Sequence, residues 1–391
     1  MSKPLHPETL AIRGAKEQTE YREHNQALFL TSSFMYNSAE QAAAIFSHQI
    51  PGFTYTRTNN PTISTFAKRV AQLEQGEAAL ATSTGMSAIQ AALLTFLKAG
   101  DHMIASRSLF GTTVGFLNNV VAKFGIEISF VSQTDLSEWK QAVKENTKLL
   151  FLETPSNPLN EVADLAALSK IAHEAEALLV VDNSFLSSAI QRPLHFGVDL
   201  SVQSATKALD GHGRVMGGVV VGSEALIKEV GVFANSCGLA MSPFNAWVLL
   251  SGVETLPLRM EKQSANAQKI AEWLEQQPQV ERVYYAGLQS SPSFKLAEKQ
   301  QSSGGIVIGF ETKGGQEGAW KVLDGLNIFS KTANLGDVRS TIAHPWTTTH
   351  GRMSPEAKQE AGIQPGLLRL SIGLENVDDL IEDLQQALAH L

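Results

Sequence analysis

SVQSATKALDGHGRVMGGVVVG (201–222) begins as an apolar run entering from Val198, breaks into hydroxyls around one lysine, and passes through a cluster of four glycines before an apolar run resumes and closes on a fifth. Apolar runs of this length bounded by glycine are too short for helices and read as strands. Lys207 therefore stands just past a strand end, between Ser204, Thr206 and a glycine-lined turn. A lysine in such a loop is ordinarily solvated; the alternative is a nucleophile. GHGRVMGG carries G-x-G-x-x-x-G rather than the G-x-G-x-x-G of a dinucleotide loop, and it lacks the strand–loop–helix setting that such a loop needs. A nicotinamide oxidoreductase is set aside on that ground.

Upstream, EAALAT (77–82), HMIAS (102–106), EISFV (127–131), KLLFLE (148–153) and ALLVVD (177–182) are further short apolar runs. Helical segments alternate with them. TFAKRVAQLEQ is apolar at Phe66, Val70 and Leu73, TGMSAIQAALLTFLKAG closes at Gly100, and DLAALSKIAHEAEA is apolar at Leu165, Leu168 and Ile171. The alternation predicts an α/β domain over 64–257 with a large, mainly parallel sheet covered on both faces. Residues 1–63 are polar and broken by Pro4, Pro7, Pro51 and Pro61, which predicts an extended arm with one or two short helices, the clearest over 38–46. From 258 a long helical segment leads to VERVYYAG, GGIVIGFET and LLRLSIGLE and then to a terminal helix, predicting a smaller C-terminal α+β domain over 258–391.

The net charge of −8 and pI near 5.7 give no basic field for nucleic acid or anionic lipid. One cysteine, Cys237, excludes an intrachain disulfide and reads as a small packing residue. With no apolar run of spanning length and no signal-type apolar core near the first residue, a cytoplasmic protein is expected. The ten histidines lack zinc-type spacing; His344 and His350 flank a proline and are expected to shape a pocket rather than hold a metal.

In parallel sheets ligands gather beyond the carboxyl ends of the strands. The polar residues there are Ser83-Thr84-Gly85-Met86, Thr154-Pro155-Ser156-Asn157, Asp182-Asn183-Ser184, and Ser204 with Thr206 and Lys207. Singly, each has an ordinary explanation as a cap, a turn or a solvated side chain. Together they fit pyridoxal 5′-phosphate, which needs an amine to bond its aldehyde, an acid beside its ring nitrogen and a phosphate cup. Lys207 supplies the amine and Asp182 the acid. Ser204, Thr206 and the amides of Gly85 and Met86 hold the phosphate at a helix start. The surroundings are expected to lower the pKa of Lys207.

With YTRTNNPT (55–62), TSTGMSA (82–88), ETPSNP (153–158), VVDNSF (180–185), SVQSATKALDGH (201–212), SPFNAW (242–247) and LLRLSIGLE (367–375) in this order, the chain resembles the Cys/Met-metabolism branch of fold-type-I pyridoxal-phosphate enzymes over nearly its whole length. The resemblance implies an aminotransferase-like transferase fold. It implies that Tyr55 and Arg57 reach into a neighbouring subunit's phosphate site, so that the active unit is at least a dimer; a tetramer is expected. It also implies that Arg369 grips the substrate α-carboxylate and that Asn157 contacts the cofactor ring oxygen.

Two departures stand out against that family. In SLFGTT (108–113) the ring-stacking position is Phe110, not tyrosine, so Tyr55 or Lys207 must take the proton of the substrate amine, or the amine binds neutral. In TANLGDVRS (332–340) the carboxylate-site position is Asn334, not serine. Thr112 stands where the family's methionine γ-lyases carry a cysteine. The pattern implies γ-replacement, taking O-succinylhomoserine and sulfide to homocysteine and succinate; O-acetylhomoserine or cysteine as co-substrate is the alternative. Arg107, Arg339 and Arg352 are candidates to receive a succinyl tail. A non-catalytic relative would be expected to have lost Lys207, Asp182 or Arg369, and all are present.

Overall fold

The computed structural model describes residues 5–351 and 353–391. The short apolar runs form β1 (Ala78–Thr82), β2 (His102–Ser106), β3 (Glu127–Val131), β4 (Thr147–Glu153), β5 (Leu178–Asp182), β6 (Leu200–Ser204) and β7 (Gly218–Gly222). They build one seven-stranded sheet in the order β1-β7-β6-β5-β4-β2-β3. Neighbours from β6 across to β3 pair parallel, and β7 alone runs against both β1 and β6. The sheet is mainly parallel, as its apolar runs predict.

Period-two alternation sorts each strand onto two cores. Val219 and Val221 face a core with Phe66, Val70, Leu73 and Leu249, while Val220 faces the opposite one with Leu93, Met103, Phe151, Val180 and Val202. These side chains are almost wholly buried, and each contributes about 1.5–3 kcal/mol on transfer from water. Helix Pro61–Glu74 starts on a proline capped by the Asn60 side chain and turns Phe66, Val70 and Leu73 inward. The helix expected to reach Gly100 ends at Leu94. Asp101 Oδ2 accepts from Lys98 N at 2.8 Å there, which folds the remaining residues into a turn.

Residues β8 (Val280–Tyr284), β9 (Val307–Thr312), β10 (Ser330–Lys331), β11 (Thr341–Ala343) and β12 (Leu367–Ser371) form a second, five-stranded sheet in the order β10-β11-β12-β9-β8. Helix Val377–Leu388 covers it with Leu380, Leu384 and Leu388. Helix Leu256–Leu274 ties the sheets together, with Leu256 and Met260 in the Phe66 core of the first sheet and Ala267, Ile270 and Leu274 in the core of the second sheet. In the N-terminal arm, helix Pro7–Arg13 docks through fully buried Ala11, whereas helix Ala39–Phe46 has no buried residue, its side chains being half-buried or exposed. No helix among the described residues is long and apolar enough to cross a membrane.

Candidate active site

The carboxyl ends of β1, β4, β5 and β6 open onto a cavity of about 1180 Å³, closed on its far side by Arg369 of β12. At the end of β1, Thr84 caps helix Gly85–Leu94, its Oγ1 accepting from Ser87 N at 3.0 Å. The cap uses the Ser87 amide; those of Gly85 and Met86 have no backbone or side-chain acceptor among the described residues. A Cβ on Gly85 would lie 2.7 Å from Cβ of Ser204, so only glycine lets this helix start close on the end of β6. Ser204 is held by its own amide, which donates to Ser184 Oγ at 2.7 Å, while its hydroxyl has no partner among the described residues. Thr206 Oγ1 is fixed by exchange with Gly217, accepting from N at 3.2 Å and donating to O at 3.3 Å. Free amides at a helix N-terminus beside two hydroxyls make an anion site.

Deeper in the cavity, Asp182 ends β5 with Oδ1 accepting from Ser184 N at 2.9 Å. Loss of solvent pushes its carboxyl up, against the hydrogen bonds of Ser184 and the charge of Lys207. Lys207 is pushed down to about 8, first by loss of solvent and then by the charge of Arg369, with Asp182 opposing. Its Nζ donates to Asn334 Oδ1 at 2.8 Å. Arg369 is 2% exposed. It donates to the carbonyls of Ala333 and Asn334 at 2.8 and 3.1 Å and to Asn157 Oδ1 at 3.4 Å, and its Nε is buried without a partner. No carboxylate pairs with it among the described residues, and burial pushes it down to about 10. A buried guanidinium with spare donors and no counter-charge is a place for a carboxylate ligand.

Phe110, Asn157, Lys207, Asp182, Ser204, Thr206, Gly85, Met86 and Arg369 thus share one cavity, with Asn334 reaching it through Lys207. Tyr55 and Arg57 do not. Tyr55 is 47% exposed, and Arg57 lies against its ring at 5.8 Å while donating to Asn235 O at 2.7 Å. His350 lines the cavity, burial pushing it down to about 4, whereas His344 bonds to Trp320, Thr347 and the Pro365 carbonyl away from it. Arg107 is paired with Glu138 and Arg339 with Asp337, and neither lines the cavity; Arg352 lies outside the described residues.

Sequence reasoning missed Glu153, which it absorbed into the run KLLFLE as a strand residue. The signal was there: an acid closes a run whose neighbour ALLVVD also ends in an acid, and the register sets Glu153 beside Asp182. Burial and the charge of Asp182 push Glu153 up to about 8.

The cavity fits pyridoxal 5′-phosphate on its own chemistry. An amine of depressed pKa, a carboxyl lacking a cationic hydrogen-bond partner and a cup of unpaired amides all open on one space. Comparison with known proteins agrees. Residues 8–389 match the family model described as Cys/Met metabolism PLP-dependent enzyme. The chain is 50% identical over 384 residues to an O-succinylhomoserine sulfhydrylase of Pseudomonas aeruginosa, covering 98% of this chain and 95% of that protein. It is 42% identical to an L-methionine gamma-lyase of Fusobacterium nucleatum, covering 97% of each. Its fold superposes with a TM-score of 0.95, at 32% identity over 98% of this chain and all of the other, on a Campylobacter jejuni structure described as an O-acetylhomoserine (thiol)-lyase with N′-pyridoxyl-lysine-5′-monophosphate. From the lysine at the end of β6 to the match across nearly the whole chain, the conclusion is that this protein belongs to the Cys/Met-metabolism family of pyridoxal-phosphate-dependent enzymes.

Proposed function

We propose that the chain catalyses γ-replacement on an acylated homoserine, converting O-succinylhomoserine and sulfide to homocysteine and succinate. The observation that carries this reading is the cavity wall at Phe110 and Thr112. It presents neither a tyrosine hydroxyl nor a thiol, in a chain half identical to a sulfhydrylase. Pyridoxal phosphate, when bound, withdraws electrons from the substrate Cα and makes its proton acidic.

The chain's own residues do the rest. Lys207, with a pKa near 8, has a share of neutral amine at physiological pH to take the proton from Cα and to move one at Cβ. Succinate then leaves Cγ, and hydrosulfide takes its place there. Asp182 keeps a proton on the ring nitrogen, and Arg369 holds the α-carboxylate with its spare donors. Asn157 meets the ring oxygen, and Asn334 steers Lys207 and the carboxylate side. The amides of Gly85 and Met86 with the hydroxyls of Ser204 and Thr206 hold the phosphate. Tyr55 and Arg57, exposed and not lining their own cavity, complete the phosphate side of a second copy, so the working unit is at least a dimer. Tyr55 or Lys207 takes the proton of the substrate amine.

A second reading has its own support. Among the described residues no cation except Lys207 and Arg369 lines the cavity, His350 being held neutral by burial, and a succinyl tail brings a second carboxylate. That favours O-acetylhomoserine as the ester.

Steady-state turnover of the cofactor-loaded enzyme on each ester, with sulfide and then with cysteine, separates the readings. The expected result is homocysteine from the succinyl ester and sulfide, with no α-keto acid from methionine. Preference for the acetyl ester selects the second reading. Cystathionine as main product, or rapid methionine cleavage, overturns sulfhydrylation.

A further inference from the structure

We propose that Glu153 is a positioning residue that clamps the two loops flanking the cofactor ring; the proposal rests on the cofactor lying between Asp182 and Phe110 as read above. Glu153 ends β4 directly beside Asp182 on β5. It is 8% exposed and has no cationic partner among the described residues, yet both of its oxygens are engaged. Oε2 accepts from the backbone amide of Phe110 at 3.0 Å, and Oε1 accepts from that of Asn157 at 3.2 Å. One carboxyl group therefore fixes the backbone at the residue that stacks on the ring and at the residue that meets its oxygen.

The clamp is itself held. Gln133 Nε2 donates to the Glu153 carbonyl at 2.6 Å, and the Phe110 loop is tied a second time where Ser108 Oγ donates to Glu161 Oε2 at 2.8 Å. A buried acid next to another acid is an unfavourable place for a charge, and a neutral amide would serve packing as well. Two backbone N–H groups aimed at its two oxygens are what an amide cannot satisfy, because its NH₂ would face one of those donors. The acid is there for the geometry of both loops.

The test uses Glu153→Gln and Glu153→Asp in the full-length enzyme. Apoprotein is reconstituted with pyridoxal phosphate, and the dissociation constant, the visible circular dichroism of the bound cofactor, kcat and KM are measured. Borohydride reduction and peptide mapping then locate the attached cofactor. Glu153→Gln is expected to weaken cofactor binding about tenfold, to reduce the visible dichroic band, and to lower kcat more than it raises KM. The thermal midpoint of the apoprotein is expected not to fall. Glu153→Asp keeps the carboxyl but loses reach, and is expected to show the same defects.

Unchanged dichroism and binding in Glu153→Gln, with the label on Lys207, overturn the clamp alone. Full activity and cofactor binding in Glu153→Asp overturn it too, since a carboxyl without the reach would then suffice. Defects that track a fallen apoprotein midpoint reduce Glu153 to a fold residue. A label away from Lys207 overturns the site and the clamp together.

Discussion

At the end of helix Pro61–Glu74, the buried carboxyl of Glu74 accepts from Asn183 at 3.2 Å and from Gln203, and Asn183 donates to the Gln191 carbonyl at 2.9 Å. A few ångströms along the same two strands, Asp182 and Ser204 face the cavity. Asn183 and Gln203 are their immediate chain neighbours, and adjacent strand residues point to opposite faces. On one face Asn183 and Gln191 bond to each other, Asn183 and Gln203 donate to Glu74, and the strands are joined to a helix, with Glu74 Oε2 and Gln203 Oε1 left without a partner among the described residues. On the other, Lys207, Arg369 and Asp182 are buried ionisable groups that make no ion-pair hydrogen bond among the described residues, beside Gly85 and Met86 amides that have no acceptor there. A nearly closed network of neutral groups holds structure; an open one is shaped for a ligand.

Removing the amine should have the largest effect and leave the closed network intact. Lys207→Ala is expected to lose turnover by at least about 10³-fold, with loss of the visible cofactor band and no fall in thermal midpoint. Arg57→Ala is expected to be nearly inactive as well. Refolded together, the two variants should recover about a quarter of wild-type turnover, because one site of a mixed pair regains both residues. No recovery would show that Arg57 serves its own chain.

Next in size is the buried guanidinium. Arg369→Lys keeps a charge but loses the fork that bonds Ala333, Asn334 and Asn157 while leaving donors for a carboxylate. The expected outcome is a KM for the acylated homoserine raised about 10–100-fold with a smaller fall in kcat. A change in kcat alone would place the carboxylate elsewhere.

The strands of the first sheet were legible because each is a short apolar run between breakers, and the residues that line the cavity because they follow those runs. β10 and β11, two and three residues long, carry no alternation that could reveal them. The overlong helix at Gly100 failed for a related reason: TFLKAG continues the helical pattern, and the capture of Lys98 N by Asp101 is a contact that periodicity does not contain. Glu153 was hidden by being written inside a strand. Resemblance, not spacing, pointed to Tyr55, Arg57 and Arg369. On an exposed segment and in the middle of a strand, neither a cap nor a period marks a ligand.

The smallest expected effect tests the closed network. Burial raises Glu74 from 4.5 to about 8, against hydrogen bonds from Asn183 and Ser201 and the charge of Arg192. The folded chain thus holds a proton that the unfolded chain releases near 4.5. Between those values the folded state binds more protons, so stability falls as pH rises and the protonated acid's contribution is gone above about 8. Glu74→Gln presents a permanent neutral acceptor to Asn183 and Gln203 and an amide donor toward Ser201. It should flatten this slope, adding on the order of 1–2 kcal/mol at alkaline pH with turnover unchanged. Urea unfolding at pH 5 and pH 8.5 reads the difference directly. Parallel curves for variant and wild type would mean that Glu74 is ionised in the folded chain, and the network would then be a charged one, closer in kind to the cavity than its amides imply.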